Sequence, residues 1–361
     1  MNRTLSLYLD LVRFLAAAVV VLSHIWPIME PRFPLPWPGH DAVVVFFVLS
    51  GLVIAHTTSY PTRTAAEYVI HRLARVWSVA VPALVLGVIV SLLIARSGRL
   101  GASVPSLLVL LSTSLANTLG IAEIWLRDAE PPLNGAFWSL EFEVWYYIIF
   151  GLWVFSSPRF RIALAFAGAF VAGPKIVLLL PAWLMGVAVY RTRFKLSGRD
   201  AVGVFVLTLL LGILYFWYDI GIQIRLLMQS RYPDFESNLR GANVFVGDNI
   251  LAVLVALNFL AVKSVDWNFS FGSHGVHSVR KLASYTFSTY LYHLPLFALI
   301  WDVAGLRSPL LVVTCLLVGI AILGSQTEKR ANSVRRLLAH APMGPLEQRG
   351  AEWVKLSIPA I

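Results

Sequence analysis

The stretch LSLYLDLVRFLAAAVVVLSHIW, residues 5–26, decides the fold of this chain. It has the length and apolar content of a helix that crosses a bilayer, which needs about 20 residues. It nevertheless carries Asp10, Arg13 and His24. A charged side chain at the centre of a transmembrane helix costs about 2.5–3.5 kcal/mol on insertion scales, so such residues are candidates for function. The stretch therefore predicts a transmembrane helix with a polar track along it.

The spacing of these three residues places them on one side of the predicted helix. At about 100° per residue, His24 lies roughly 20° round from Arg13 and about 16 Å further along the axis. Asp10 is within reach of an i,i+3 pair with Arg13. An imidazole titrates near neutral pH and suits a general base or an acyl acceptor. The alternative is a structural ion pair beside a histidine at the membrane interface.

The composition identifies a membrane protein. Hydrophobic residues make up 58% of the 361 residues and charged residues 13%, whereas soluble domains have about 25% charged residues. The net charge of +10 comes from basic residues between apolar runs, as the positive-inside bias produces. This distribution argues against nucleic acid as a partner. Cys315 is the only cysteine, so no disulfide framework or thiolate zinc site is expected, and no metal is expected.

The basic segments between the apolar runs set the predicted topology. They all face the cytoplasm if ten of the eleven runs cross the membrane. The run 104–121 is the most polar, and we predict that it is a re-entrant or surface-lying segment. The sequence thus predicts an all-α polytopic protein with about ten transmembrane helices and both termini cytoplasmic. Residues 1–324 form the predicted transmembrane domain, and 325–361 form a basic cytoplasmic tail on the inner leaflet. The apolar runs lie near 5–26, 41–58, 76–95, 104–121, 137–155, 160–172, 175–190, 201–219, 244–262, 284–303 and 308–324.

The stretch GHDAVVVFFVLSGLVIA, residues 39–55, predicts a buried helix. Its Ser50-Gly51 pair permits close contact with another helix. His40 and Asp41 lie at the outer end, where they either serve an acceptor or are simply solvated.

Two arginines in YVIHRLARVW, residues 68–77, lie on one helical face just inside the membrane. Arg72 and Arg75 are either anchors of the positive-inside kind or a clamp for phosphate, because guanidinium groups pair bidentately with phosphate.

The stretch FWSLEFEVWYYIIF begins at Phe137 and carries a line of polar residues on an otherwise aromatic helix. Ser139, Glu143 and Tyr147 recur at i, i+4 and i+8. Glu141 lies off that line and is predicted to face the headgroups. A carboxylate at the start of a span needs a cation or a substrate hydroxyl as its partner, and pairing with another span is the structural alternative.

Two further residues are candidates for contact with a substrate. Trp138 belongs to a group of tryptophans near the outer interface, which form an aromatic belt or stack on a sugar. His293 lies within the span SYTFSTYLYHLPLF, residues 284–297, and Pro295 frees a backbone carbonyl near it. The alternative for His293 is a hydrogen-bonded histidine of the core.

Together these stretches resemble the integral-membrane acyltransferase type 3 family, whose members acylate cell-envelope carbohydrates. The chain departs from the family at Val44, where many members have an aspartate in a GVD run. The matching motifs are R-x10-H at Arg13 and His24, FFVLSG at 46–51, R-x-x-R at Arg72 and Arg75, WSL-x-x-E at 138–143, and Y-x-F-S-x-Y-L-Y-H-x-P at 285–295.

The resemblance implies a fold of roughly ten spans, an acyl-CoA donor from the cytoplasm, usually acetyl-CoA, and a sugar acceptor. It implies that Arg13 and His24 are essential, that Arg72 and Arg75 contact the CoA, and that Glu143 helps to shape the site. The predicted catalytic residues are His24, Arg13 and Glu143, and the predicted donor-binding residues are Arg72 and Arg75. The predicted substrate-binding residues are Asp10, His40, Trp138, Ser139, Tyr147, Tyr285 and His293.

The expected activity is transfer of an acyl group, acetyl in the first instance, to a hydroxyl of a cell-envelope or exported carbohydrate. The expected location is the cytoplasmic (inner) membrane, with acyl-CoA, the carbohydrate and membrane lipid as partners. Some relatives carry a fused esterase-like domain, so this chain either transfers directly or relies on a separate esterase-like partner. The alternatives are a proton-coupled transporter of a small polar solute and a non-catalytic scaffold. A transporter would show two similar halves with broken helices, and the sequence shows no such repeat.

Overall fold

The computed structural model describes residues 3–32, 38–59, 64–97, 105–232, 238–265, 273–328 and 330–340. Within these ranges the chain is helical and has no strands, which confirms the predicted all-α class. The tail predicted at 325–361 is described only as far as 340. The helices are α1 (Arg3–Met29), α2 (Gly39–Thr58), α3 (Ala65–Ser97), α4 (Leu107–Thr118), α5 (Trp138–Phe155), α6 (Arg161–Ala172), α7 (Pro174–Arg191), α8 (Gly198–Trp217), α9 (Ile220–Arg231), α10 (Phe245–Ser264), α11 (Ser273–Ser284), α12 (Thr286–Ala298), α13 (Pro309–Thr327) and α14 (Ala331–His340).

Seven of the described helices are long and apolar enough to cross a membrane. They are α1, α2, α3, α7, α8, α10 and the helix that begins at Pro309. The protein is therefore a multi-pass integral membrane protein, as predicted. Helices α4 and α6 have 12 residues each, about 18 Å at 1.5 Å per residue. Each is shorter than the hydrocarbon core of about 30 Å. The full count of ten and the re-entrant placement of 104–121 stay predictions.

The chain divides into two compact units. The first unit comprises Met1–Ser59 and Val177–Tyr290, and the second comprises Tyr60–Ile176 and Leu291–Ile361. In the first unit, α10 packs against α8 and α2, and α1 packs against α2 and α11. In the second unit, α3 packs against α4, α5 and α13, and α5 packs against α6.

A serine–glycine pair brings α2 and α7 close together in the first unit. A Cβ atom on Gly51 would lie 1.9 Å from the carbonyl oxygen of Trp183. A Cβ atom on Gly186 would lie 1.9 Å from the carbonyl oxygen of Val48. The indole Nε1 of Trp183 donates to Ser50 Oγ at 3.2 Å. The two backbones approach this closely because neither glycine has a side chain, which confirms the close helix contact predicted for Ser50-Gly51.

Helix α3 holds the second unit together along most of its length. Its residues Val90 and Ile94 pack against Ala298 and the five-residue π-helix Leu299–Val303. Nearer its middle, a Cβ atom on Gly87 would lie 2.4 Å from the carbonyl oxygen of Pro132. The segment between α4 and α5 therefore rests directly on the α3 backbone.

Candidate active site

The ion pair predicted on α1 is present. Arg13 Nη1 lies 3.7 Å from Asp10 Oδ1, and the two side chains are 20% and 22% exposed. Arg280, on α11, also interacts electrostatically with Asp10. The acidic end of the predicted polar track thus forms an ion pair with a cation on its own helix and interacts electrostatically with one on a neighbour.

His24 has a defined tautomer. Its Nδ1 lies 2.8 Å from the carbonyl oxygen of Val20, four residues earlier on α1. A carbonyl oxygen only accepts hydrogen bonds, so Nδ1 must carry the proton. In the neutral ring the lone pair is therefore on Nε2. This nitrogen can take a proton or an acyl group, which are the two roles that the sequence predicts.

His40 pairs with a carboxylate that the sequence analysis did not single out. The Nε2 atom of His40 lies 3.0 Å and 3.1 Å from the two carboxylate oxygens of Asp248. Asp248 lies in the first turn of α10 and is fully buried, whereas the His40 side chain is 32% exposed. Of the two outcomes predicted for His40, simple solvation is therefore wrong.

The two histidines lie on helix ends that touch. A Cβ atom on Gly39, the first residue of α2, would lie 2.0 Å from Ser23 Oγ. Gly39 immediately precedes His40, and Ser23 immediately precedes His24. The first unit therefore brings the end of the α1 track to the start of the GHD stretch.

A polar chain fixes the other end of α1. The hydroxyl of Tyr8 donates to Asn258 Oδ1 at 2.6 Å, and Asn258 Nδ2 donates to Thr208 Oγ1 at 3.0 Å. These bonds join α1 to α10 and then to α8. Hydrogen bonds between buried polar side chains specify the position of the helices that carry them, so these bonds fix the part of α1 that carries Asp10 and Arg13 against α10.

In the second unit, α3 and α5 bring Arg72, Tyr147 and Glu143 together. The guanidinium carbon of Arg72 lies 5.8 Å from the centroid of the Tyr147 ring, and the Tyr147 hydroxyl donates to Glu143. The hydroxyl of Tyr68 donates to the carbonyl oxygen of Tyr147 at 3.0 Å. The i, i+4 relation predicted for Glu143 and Tyr147 is thus a direct hydrogen bond.

Arg72 and Arg75 have different surroundings. The Nε atom of Arg72 is buried and has no hydrogen-bond partner among the described residues. Arg75 is exposed. A buried guanidinium nitrogen without an acceptor is costly, whereas an anion at this position would satisfy it. The phosphate clamp at Arg72 and Arg75 stays a prediction.

The other predicted residues of α5 do not all join this group. Ser139 is buried, and its hydroxyl donates to the carbonyl oxygen of Ala136 at 3.4 Å. Trp138 is partly buried and packs edge-on against Phe142, with ring centroids 5.1 Å apart. Both residues lie in the first turn of α5, and Glu143 lies more than one turn further along.

The prediction that Glu141 faces the headgroups is wrong. Its side chain is 1% exposed, and its Oε2 accepts the backbone N–H of Glu123 at 2.8 Å. Nearby, Lys175 Nζ lies 2.5 Å from Glu123 Oε2 and also donates to the carbonyl oxygen of Arg127. The segment between α4 and α5 folds back over the start of α5, so Glu141 serves as a buried anchor for that segment.

Tyr285 and His293 lie on different parts of their motif. Tyr285 is a partly buried turn residue immediately before α12, in the first unit. His293 is fully buried on α12, in the second unit. Leu291 and Tyr292 immediately precede His293 in the same motif. The Leu291 carbonyl oxygen accepts a hydrogen bond from the Asn134 side chain at 2.9 Å. The Tyr292 hydroxyl donates to the Val79 carbonyl oxygen at 3.4 Å.

The sequence alone did not lead to three buried ionisable residues near these groups, which are Asp248, Lys175 and Glu123. Asp248 is the one acidic residue of a predominantly apolar helix, and an ionisable residue in an apolar run is the signal that identified Asp10. Lys175 begins an apolar run and Glu123 lies in a loop, so neither follows a helical spacing with its partner. Only the first of the three could have been found from the sequence.

A family model described as an acyltransferase domain, that of acyltransferase type 3, matches residues 6–326. The chain belongs to the acyltransferase type 3 family. No curated protein and no solved structure matches it. The matched residues include every site residue from Asp10 to His293. The protein is therefore a membrane acyltransferase, an enzyme that transfers acyl groups, as the resemblance implied.

The geometry gives this acyltransferase two kinds of group. The first unit carries the imidazoles of His24 and His40, and in each of them a hydrogen bond to another group of the protein engages one ring nitrogen. Imidazoles transfer protons and accept acyl groups. The second unit carries Arg72 above an aromatic ring and beside a carboxylate. A stacked arginine with a buried donor atom is suited to bind an anion.

Proposed function

We propose that this acyltransferase takes an acyl group, acetyl in the first instance, from cytoplasmic acyl-CoA and transfers it to a hydroxyl of a cell-envelope or exported carbohydrate. The observation that carries the proposal is the hydrogen bond of His24 Nδ1 to the Val20 carbonyl. It leaves the lone pair of the neutral ring on Nε2, on a candidate transmembrane helix, which supports a reactive role for this nitrogen. A proton-accepting atom in a transmembrane helix is energetically unfavourable, and a helix with a purely structural role has no need of one.

The donor is bound by the arginines of α3. Arg72 offers a buried Nε, and Arg75 lies one turn further on at the exposed surface. Coenzyme A carries several phosphate oxygens, which guanidinium groups bind bidentately. Tyr147 and Glu143 hold the Arg72 side chain in place. Glu143 thereby contributes to catalysis by organising the donor-binding residue.

The transfer proceeds by one of two routes. In direct attack, the acceptor oxygen bonds to the acyl carbon, the carbon–sulfur bond breaks, and the hydroxyl proton moves through His24 Nε2 to the thiolate. In the covalent route, His24 Nε2 first takes the acyl group and the acceptor oxygen then removes it. Arg13 lies about 16 Å and Asp10 about 21 Å along α1 from His24. They therefore guide the donor arm rather than bind the reacting carbonyl.

The acceptor is recognised by aromatic and polar residues. Trp138 and Tyr285 offer faces on which a sugar ring stacks. Ser139, Tyr147, His40 and His293 offer hydrogen-bonding groups.

In the cytoplasmic membrane the proposed topology is that of ten transmembrane helices with cytoplasmic termini. The run 104–121 is re-entrant in this arrangement, and the segment between α4 and α5 lies on the outer side. Residues 1–324 form the transferase domain. The tail 325–361 lies on the anionic inner leaflet through basic residues such as Arg335 and Arg336, which are exposed on α14. The acceptor is acylated directly or through a separate esterase-like protein.

The test uses the purified full-length protein and acetyl-CoA, with thiol release as the readout. We expect His24→Ala to lower the rate by at least 100-fold, as loss of a general acid–base group does. We expect Arg13→Ala to lower the rate as well, because the donor arm then loses its guide. His277→Ala on α11 is the control, because His277 is exposed. Equal rates for wild type and both variants would contradict the proposal. Mass analysis of the envelope glycans of a deletion strain identifies the acceptor by its missing ester.

A further inference from the structure

The pair of His40 and Asp248 at the start of α2 differs from His24, the imidazole to which the proposed function gives the reactive role. His24 donates to a neutral backbone carbonyl. His40 instead directs Nε2 at both oxygens of Asp248, at 3.0 Å and 3.1 Å. A carboxylate accepts hydrogen bonds and stabilises the imidazolium that forms when the other ring nitrogen takes a proton. His40 is therefore built as the stronger proton acceptor of the two.

The burial of Asp248 supports a role beyond stability. A carboxylate that is fully buried in an apolar helix is costly, and Asp248 is 0% exposed. Its partner His40 keeps 32% of its side chain exposed. This is the arrangement expected when a buried acid orients an imidazole whose other edge meets a substrate.

Other ionisable groups surround the pair. Asp41 follows His40 on α2 and interacts electrostatically with His40, Asp248 and Asp219. Arg225 on α9 acts on His40 with the opposite sign. Tyr215 on α8 interacts electrostatically with both Asp41 and Asp248. Its buried hydroxyl has no hydrogen-bond partner among the described residues. Asp248, Asp41 and Arg225 are thus the charged groups that act on His40.

The position of the pair connects it to His24. Gly39 lies against Ser23, so the turn that carries His40 contacts the turn that carries His24. The two imidazoles are thus held on adjoining helix ends of one unit, one with its lone pair on Nε2 and the other with its lone pair on Nδ1.

We propose that His40 is a catalytic residue that takes the proton of the acceptor hydroxyl, and that Asp248 is its positioning residue. The inference rests on the proposed transferase function and selects its covalent route, because it leaves the nucleophilic role to His24. His24 Nε2 bonds to the acyl carbon as the carbon–sulfur bond breaks and thiolate leaves. The acceptor oxygen then bonds to that carbon, the carbon–nitrogen bond breaks, and the hydroxyl proton moves to His40 Nδ1. His40 finally returns this proton, through water, to the thiolate.

The experiment measures thiol release from acetyl-CoA by the full-length protein, with water and then glycerol as the hydroxyl source. The variant Asp248→Asn keeps the size of the side chain and removes the charge. We expect it to lower kcat at least tenfold and to leave kcat/KM for acetyl-CoA unchanged, because His40 acts after the thiolate has left His24 acylated. The acid limb of its pH–rate profile moves to lower pH, because an imidazole without the carboxylate holds its proton less tightly. Asp248→Glu restores part of both effects.

The matched control is Asp219→Asn, which removes an exposed carboxylate near the same cluster. Asp219 has a φ of 48°, a conformation that asparagine adopts readily. If Asp248→Asn elutes as an aggregate in size-exclusion chromatography, His40→Gln replaces it, because Gln keeps a donor for Asp248. The same tenfold loss of kcat with unchanged kcat/KM for acetyl-CoA is then expected.

Three results separate the two proposals. An active wild type with Asp248→Asn indistinguishable from Asp219→Asn overturns the role of the pair and leaves the transferase proposal intact. A lower kcat with an unmoved pH profile shows a purely structural role and also overturns it. A wild type that releases no thiol from acetyl-CoA refutes the proposed function itself.

Discussion

The guanidinium carbon of Arg72 lies 5.8 Å from the centroid of the Tyr147 ring. A cation over an aromatic face is attracted by the quadrupole of the ring, and arginine gains more from this stacking than lysine does. The contact therefore orients the planar guanidinium group of Arg72, which can bind an anion through two hydrogen bonds at once. A lysine at the same position would present only a point charge.

We expect Arg72→Lys to raise KM for acetyl-CoA by about tenfold, because one lost bidentate contact is worth about 1.4 kcal/mol or more. Steady-state kinetics with varied acetyl-CoA measure the change. Arg96→Lys is the control, since Arg96 is exposed in the last turn of the same helix. An unchanged KM for Arg72→Lys would show that this arginine does not bind the donor.

The contribution of the Tyr147 hydroxyl can be tested separately from that of its ring. Tyr147→Phe keeps the stacking on Arg72 and removes the hydrogen bond to Glu143. A hydrogen bond to a charged group contributes about 1.5–3 kcal/mol, so we expect thiol release to fall by roughly tenfold. The exposed Tyr232 provides the control Tyr232→Phe. Equal rates in the two variants would mean that Glu143 is positioned by other groups.

The pair of Lys175 and Glu123 is expected to contribute to stability rather than to catalysis. Lys175→Met leaves Glu123 buried without its cation, which costs about 3–5 kcal/mol, so Tm should fall by several degrees. Adding Glu123→Gln should recover much of that loss. Thermal unfolding in detergent measures both variants against Lys195→Met, which changes an exposed lysine. A double variant no more stable than Lys175→Met would argue against charge burial as the cause.

Gly51→Ala tests the contact between α2 and α7. A methyl group 1.9 Å from the Trp183 carbonyl oxygen forces the two backbones apart, so we expect a large loss of folded protein. Gly203→Ala on α8 is the matched control, because a Cβ atom there meets nothing within 4 Å. It should keep or raise Tm, since alanine is favoured over glycine in a helix by about 1 kcal/mol. The yield of monodisperse protein in size-exclusion chromatography, with Tm, distinguishes the two outcomes.

The sequence predicted those features that depend on one helix. The i,i+3 pair of Asp10 with Arg13 and the i,i+4 bond of Glu143 with Tyr147 follow from helical periodicity alone, and the structure confirms both. The apolar runs likewise predicted helices long enough to cross a membrane.

Contacts between distant segments were beyond the sequence. His40 and Asp248 are 208 residues apart, and no periodicity connects them. Glu141 was placed wrongly because helical spacing gives the direction of a side chain but not what covers it. Here the loop containing Glu123 covers it.

The bond between His24 Nδ1 and the Val20 carbonyl has a consequence for motion. Val20 lies four residues before His24 on α1. The backbone of α1 itself therefore sets the orientation of the ring. If α1 tilts or slides as a rigid body during turnover, the reactive nitrogen travels with it and keeps its protonation pattern. The imidazole can thus change its neighbours during a catalytic cycle without changing its chemistry.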